Sequence, residues 1–273
     1  MDVGVVLTRA VTRRRENWIR IAREAERLGC HSVWTNEHIA IPSEIKSHYP
    51  YSPDGVPTFK IDSAWYEALV ALAFLAGVTE RIRLGTAVVP LFDRDPLSLA
   101  KQAATVDELS GGRLELGLGA GWLAEEASLL GHPSDHPGAR LDECIEILRK
   151  AWTQRTFEHH GRFWDYPGEV GVHPQPPQGG RLSLWIGGES NRALRTTAKF
   201  ATGNLLWLAD PVEVMQFRRR LDALQPGLKL AVSMRVEEHA ADKARAIRDE
   251  GADLLLLMNP GDGLARFLEE FGP

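Results

Sequence analysis

The chain has two cysteines among 273 residues, Cys30 and Cys144, and they form no CxxC pair. Neither a disulfide framework nor a thiolate zinc site is suggested by them. Positive charge is not in excess. The formal net charge is −5 with both signs interspersed, so the broad basic face of a nucleic-acid binder is missing. No apolar run approaches the length of a membrane span, and MDVGVVLTRA opens on an apolar strand pattern rather than a basic-then-apolar leader. A protein with neither nucleic-acid nor membrane partners is expected, with the cytosol as its default compartment. The sequence also lacks HExxH, GxSxG and a Walker-type lysine, and Pro133 and Pro137 keep His132 and His136 out of helical register. No metal site is expected.

What is present is a composition of 44% hydrophobic and 25% charged residues, ordinary for a soluble enzyme-sized domain. The chain is organised around RLELGLGAGWLAEE at 113–126. Leu114, Leu116 and Leu118 alternate with smaller or polar residues, as in a short buried strand, which runs into Gly119-Ala120-Gly121 before helical spacing resumes at Trp122. A strand-to-helix turn nearly free of side chains lets the backbone approach a ligand, and the N-terminus of the next helix offers N–H groups to a phosphate. Any tight βα turn also favours glycine, so the motif alone is a weak signal. A second stretch follows the same plan: GGRLSLWIGG at 179–188 matches GGRLELGLGA at 111–120 in its lead-in, strand and glycine exit. Glu189 and Ser190-Asn191 follow, with Ser190 or Asn191 placed to cap a helix. If the two strands are neighbours, both exits face one anion; a chance match of common residues is the alternative.

Taken in order, strands are expected at 3–7, 31–36, 82–89, 114–118, 182–186, 204–209, 228–236 and 253–258. Helices are expected at 16–28, 63–76, 96–109, from 122, and at 140–152, 192–201, 211–224, 240–250 and 262–271. Ser63 reads as one helix cap and Asp95-Pro96 as another. The segment 39–61, with His48, Tyr49, Tyr51 and Phe59, reads as a lid or binding loop. A small hairpin is expected at 156–166 about Gly161, with His159 and His160 solvated, and Arg218-Arg219-Arg220 reads as a solvated helix face. Cys144 shares an apolar helix stripe with Leu141, Ile145, Leu148 and Trp152, which makes it a core thiol. The LLLL run at 254–257 suits a parallel strand buried on both faces.

Eight strand–helix units in one domain, 1–273, point to an α/β fold of the (β/α)8 TIM-barrel type, with an extended loop after strand 2 and a small hairpin insertion before strand 5. A doubly wound sheet would carry its glycine fingerprint in the first unit, which has none. In such a barrel the working residues lie at strand ends: Asn36, Glu37 and His38 after strand 2, Thr86 to Val89 after strand 3, and the two glycine exits. Histidine suits proton shuttling near neutrality, although a loop histidine is more often a surface residue.

With these features in place the chain resembles the bacterial luciferase-like superfamily, closest to the branch that uses the deazaflavin coenzyme F420. The likeness is carried by Leu109-Ser110-Gly111-Gly112-Arg113 through Gly119-Ala120-Gly121-Trp122 to Glu126, by Arg140-Leu141-Asp142-Glu143 with Leu148 and Trp152, and by Pro176-Pro177 with Trp185-Ile186-Gly187-Gly188-Glu189-Ser190. Trp34 to His38 and Leu84 to Val89 add to it. The resemblance implies a ring lying across the strand ends over Glu37, His38, Thr86, Ala87 and Val88, with a non-prolyl cis bond at Ala87–Val88. It implies a coenzyme phosphate held at Gly119, Ala120 and Gly121 and at Gly187, Gly188, Glu189 and Ser190, with His38 as the catalytic residue. The implied activity is hydride transfer between coenzyme F420 and a small organic substrate. A monooxygenase using reduced FMN is the alternative, and a flavin-binding barrel without turnover is a third reading. A homodimer is compatible with the likeness. In two places the chain departs from the family pattern. Trp122 stands where some members carry a carboxylic acid, which speaks against sugar-phosphate dehydrogenase activity, and Thr202-Gly203 replaces the usual Asp-Gly. Glu126 is expected to belong to the scaffold, paired with Arg140.

Overall fold

The computed structural model describes residues 1–8, 14–237 and 239–272. Its strands are β1 (Asp2–Leu7), β2 (Ser32–Thr35), β3 (Arg83–Thr86), the short β4 (Val89–Pro90), β5 (Leu114–Gly119), β6 (Phe157–His160) and β7 (Asp165–Val170). They continue as β8 (Ser183–Gly187), β9 (Gly203–Leu206), β10 (Lys229–Arg235) and β11 (Leu254–Met258). Parallel pairing runs β3-β2-β1-β11-β10-β9-β8-β5, and β5 pairs back with β3, so eight strands close on themselves. The expected TIM barrel is therefore present, and β6 and β7 form the antiparallel hairpin inserted before the fifth barrel strand, β8.

Two-residue periodicity sorts the strand side chains. Val5, Leu7, Leu114, Leu116, Leu118, Leu255 and Leu257 point outward into the layer beneath the helices. Val6, Leu254 and Leu256 point inward, with Trp34 and Trp185 filling most of the interior. This is why the LLLL run has no polar face: both of its sides are buried. The two indoles meet edge to face at 5.9 Å. A Cβ on Gly85 would lie 2.2 Å from the Trp34 ring, so glycine there makes room for the indole. Each indole N–H is satisfied at the barrel floor, Trp34 by Ser32 Oγ at 2.7 Å and Trp185 by Glu115 Oε2 at 3.0 Å. Arg83 closes the floor with an ion pair to Glu115. The polar alternation in the β5 sequence thus marks the inward face of that strand.

The helices are α1 (Arg15–Arg27), α2 (Ala68–Ala76), α3 (Pro96–Ser110), α4 (Ala124–Leu129) and α5 (Pro137–Thr153). After the hairpin come α6 (Asn191–Phe200), α7 (Pro211–Leu224), α8 (Ala240–Asp249) and α9 (Leu264–Phe271). Asp95 caps α3 as expected and Gly111 ends it in the left-handed region. Ser190 caps α6 by accepting from Ala193 N.

The structure corrects three local expectations. Ser63 does not cap α2: its Oγ accepts from Lys60 N in a turn, and the helix starts five residues later under Glu67. Tertiary contacts fix that start, because Glu37 takes the Ala68 N–H and Arg94 holds Glu67. His159 is buried, with Nε2 3.2 Å from Glu143 Oε1, whereas His160 is solvated. Glu143 also accepts from the backbone of Arg162, Phe163 and Trp164, so one buried carboxylate of α5 builds the hairpin turn. The arginine run on α7 is not a uniform solvated face. Arg218 is tied to Asp222 and the Leu228 carbonyl, and Arg220 reaches the second glycine exit.

Candidate functional site

A cleft of about 680 Å3 opens at the C-terminal ends of the barrel strands. Parallel register pairs Gly117 with Trp185 and Leu118 with Ile186, which brings the exits of β5 and β8 side by side. Gly119, Ala120 and Gly121 from one exit and Gly187, Gly188, Glu189 and Ser190 from the other all line this cleft. Between the exits lies Val88, on the bulge that separates β3 from β4. A Cβ on Gly119 would come within 2.7 Å of Val88 Cγ2, and one on Gly187 within 2.9 Å of Val88 Cγ1. The close approach of Val88 on the bulge is therefore reason enough for glycine at both positions. The Ala87–Val88 peptide is cis, and both residues line the cleft.

Gly188 has φ +114°, a conformation side chains resist. Asn204 of β9 steadies this turn by donating from Nδ2 to the Gly188 carbonyl (3.3 Å) and to Thr197 Oγ1 (3.1 Å). On the outer side, Arg220 donates to the Glu189 carbonyl at 3.0 Å and to Asn191 Oδ1 at 2.9 Å. Burial, with Glu213 nearby, pushes the Glu189 carboxyl above its ordinary range, and Arg220 partly opposes the shift. The first exit is less open than its sequence suggests. The Ala124 N–H at the start of α4 is already taken by Ser47 Oγ, so that helix does not present a bare N-terminus.

His38 lines the cleft with its side chain 9% exposed. Its Nδ1 lies 2.6 Å from Oε2 of Glu126, which is fully buried. The other Glu126 oxygen accepts from Ile39 N (2.7 Å) and Ala40 N (2.9 Å). Glu126 is scaffold, but its partner is His38; Arg140 bonds Asp135 instead. Glu125, its neighbour on α4, accepts from Lys46 N, Ser47 N and Ser47 Oγ. Two adjacent carboxylates thus fasten the long loop after β2 to α4, a coupling between residues roughly eighty positions apart that no local signal reveals. His38 is left with Nδ1 fixed and no partner for Nε2 among the described residues.

The remaining sequence candidates fall differently. Glu37 lines the cleft, yet its carboxylate is directed into the scaffold, with Oε1 2.7 Å from Arg94 Nη1 and Oε2 2.7 Å from Ala68 N. Thr86 is not among the lining residues. It is fully buried, exchanging hydrogen bonds with the Gly117 carbonyl and N–H through Oγ1, both at 2.8 Å. Of the 39–61 loop, Tyr49, Tyr51 and Phe59 line the cleft and His48 is not among the lining residues; Phe59, with Trp65 and Trp122 from outside the loop, surrounds the His38 ring at 4.9, 5.1 and 6.0 Å. Tyr51 packs on Trp207 at 6.2 Å. Trp65, Trp207 and Arg235 also line the cleft and carried no sequence signal of their own. Among the described residues no group of three or more His, Cys, Asp or Glu side chains is placed to hold a metal ion. No helix in the described residues is long and apolar enough to cross a membrane.

An uncharacterized protein of Mycobacterium tuberculosis is 37% identical over 208 residues, 76% of this chain and 71% of that protein. The oxygenase component of a flavin-dependent trigonelline monooxygenase from Acinetobacter baylyi is 30% identical over 173 residues, 63% of this chain and 42% of that protein. Among solved structures, an F420-dependent secondary alcohol dehydrogenase in complex with an F420-acetone adduct shares the fold, with a TM-score of 0.79, 12% identity, and coverage of 100% of this chain and 99% of that one. A family model described as luciferase-like monooxygenase matches residues 1–262, nearly the whole barrel. With that match, the closed parallel barrel and the cleft at its strand ends, the chain belongs to the luciferase-like monooxygenase family.

Proposed function

We propose that the protein is an oxidoreductase that binds coenzyme F420 and moves a hydride between it and a small organic substrate carrying an alcohol or a carbonyl. The observation that carries this reading is that paired glycine exits and a backed imidazole face one cleft. The cleft fits the coenzyme in size, since about 680 Å3 lies within the range of small-molecule sites. It fits in chemistry too: Gly187 and Gly188 line the cleft without side chains, and Asn36 Oδ1 is a buried acceptor lacking a donor, available to a ring N–H. When bound, the coenzyme supplies the hydride chemistry.

The protein's part is positioning, exclusion of water and management of one proton. Val88 lines the cleft between the exits and would lie against the coenzyme ring, while Tyr49, Tyr51, Phe59 and Trp65, which also line it, would exclude water from the reacting centre. With Nδ1 donating to Glu126, neutral His38 presents Nε2 as an acceptor, so it takes the proton of a substrate hydroxyl or, protonated, returns it to a carbonyl oxygen. This demand for a proton relay favours alcohol–carbonyl interconversion. A second reading, monooxygenation with reduced FMN, draws on the similarity to the flavin-dependent trigonelline monooxygenase.

Fluorescence titrations with F420 and with FMN, each for wild type and Gly188→Val, test the assignment. F420 is expected to bind at least tenfold tighter than FMN, and the variant to lose at least tenfold in F420 affinity. Preference for FMN would transfer the assignment to the monooxygenase reading. Unchanged F420 affinity in the variant would remove the proposed phosphate site. Coenzyme reduction against a panel of secondary alcohols then establishes turnover.

A further inference from the structure

One cation on the cleft wall has no part in this scheme. Arg235 ends β10, the seventh barrel strand, and its exposed side chain lines the cleft. No hydrogen-bond or ion-pair partner for its guanidinium occurs among the described residues. The other charged lining groups are committed or of opposite sign: Glu37 is bound to Arg94, His38 to Glu126, and Glu189 is a carboxyl. A guanidinium that lines an aromatic-walled cleft with no carboxylate bonded to it is matched by a ligand carboxylate, which it can bind through two parallel N–H···O bonds.

Barrel order separates this position from the glycine exits. Strand β10 is two places from β8, so the offset is roughly 10 Å at the usual strand spacing, and it is four places from β3, across the barrel from Val88. An anion at Arg235 is therefore distinct from one between the exits. Its surroundings are Ser233, whose Oγ already accepts from Leu208 N, Met258, and Asn259, whose amide is tied to Thr8. Tyr51 and Trp207, packed on each other with their rings tilted, line the same cleft.

We propose that Arg235 selects the substrate: a small organic acid whose carboxylate rests on this guanidinium while its alcohol or carbonyl carbon faces the centre of the cleft. For a hydroxy acid, the carbinol C–H leaves as hydride to the oxidised coenzyme and the O–H proton goes to His38 Nε2. The product is the corresponding oxo acid, and the two electrons remain on the reduced coenzyme. This inference rests on the oxidoreductase reading for the reaction and on Arg235 alone for the specificity.

The test compares benzoate with benzamide, equal in shape and different in charge, by tryptophan fluorescence and by the spectrum of bound coenzyme. Wild type, Arg235→Met and Arg235→Lys are titrated with and without F420. Benzoate is expected to bind wild type at least tenfold tighter than benzamide, about 1.4 kcal/mol. That preference should fall to within about twofold in Arg235→Met and be partly kept in Arg235→Lys. Equal binding of the two probes by wild type, or a preference that survives in Arg235→Met, overturns the proposal. A tenfold loss of F420 affinity in Arg235→Met also overturns it, by assigning the guanidinium to the coenzyme. Failure of wild type to bind F420 sinks the oxidoreductase reading through a separate measurement, and the benzoate preference of the coenzyme-free protein still decides what Arg235 recognises.

Discussion

Replacing Glu126 by glutamine examines the His38 relay most directly. The carboxylate is fully buried and accepts three hydrogen bonds, one from His38 Nδ1 at 2.6 Å and two from the backbone of Ile39 and Ala40. Glutamine keeps an acceptor for the backbone pair but sets an N–H against Nδ1. The imidazole must then carry its proton on Nε2, the nitrogen that the proposed relay needs as an acceptor. One charge-assisted bond is lost, worth about 1.5–3 kcal/mol. For a chain of this size the melting temperature should fall on the order of 3–10 °C. Removal of the general base should lower kcat by about 10^2 to 10^4. Coenzyme affinity should change by less than about threefold, because Glu126 lies behind the histidine and is not among the residues lining the cleft. Imidazole 15N shifts report the tautomer without a substrate, and turnover of the best alcohol in the panel reports the rate. If the shifts show the proton moved to Nε2 and kcat stays within about threefold of wild type, His38 is not the base and the relay is wrong.

Three further outcomes follow from the packing. Gly119→Ala places a Cβ 2.7 Å from Val88 Cγ2 and should cost about 1–3 kcal/mol in urea unfolding, recovered when Val88→Ala is added; equal stability of the single variant would refute the close approach. Arg94→Met leaves the buried Glu37 carboxylate without its cation and should destabilise by about 3–5 kcal/mol, much of it restored by Glu37→Gln in the same chain. Burial pushes the Cys30 thiol up to about 11 and raises Cys144 further, so at pH 8 a disulfide reagent should label neither in the native protein and both at once in guanidinium; rapid native labelling would show that the site opens.

Much of the architecture was legible because its signals are periodic and local. Alternation in β5, the apolar run of β11, the helical stripes of α1 and α5, and the Asp95-Pro96 helix start each follow from a few adjacent residues. The repeated lead-in, strand and glycine exit foretold that β5 and β8 would behave alike, and parallel pairing set them side by side. Where the reading failed, a distant partner had overridden a local preference. Ser63 is a good cap residue, but Glu37 and Arg94 place the start of α2 elsewhere. His159 sits in a hairpin that could be solvated, yet Glu143 of α5 buries it.

The amino-acid order by itself determined the barrel, the strand ends at which its candidate residues stand, and the two glycine turns, since each depends on period or backbone freedom within a short window. Only the tertiary structure decided which candidates face the cleft. It turned the Glu37 carboxylate and Thr86 into scaffold, gave Glu126 to His38, and left Arg235 with an exposed guanidinium. The physical reason is that a side chain's role depends on its counter-charge or hydrogen-bond partner, and in a closed barrel that partner is supplied by a strand or loop tens of residues away.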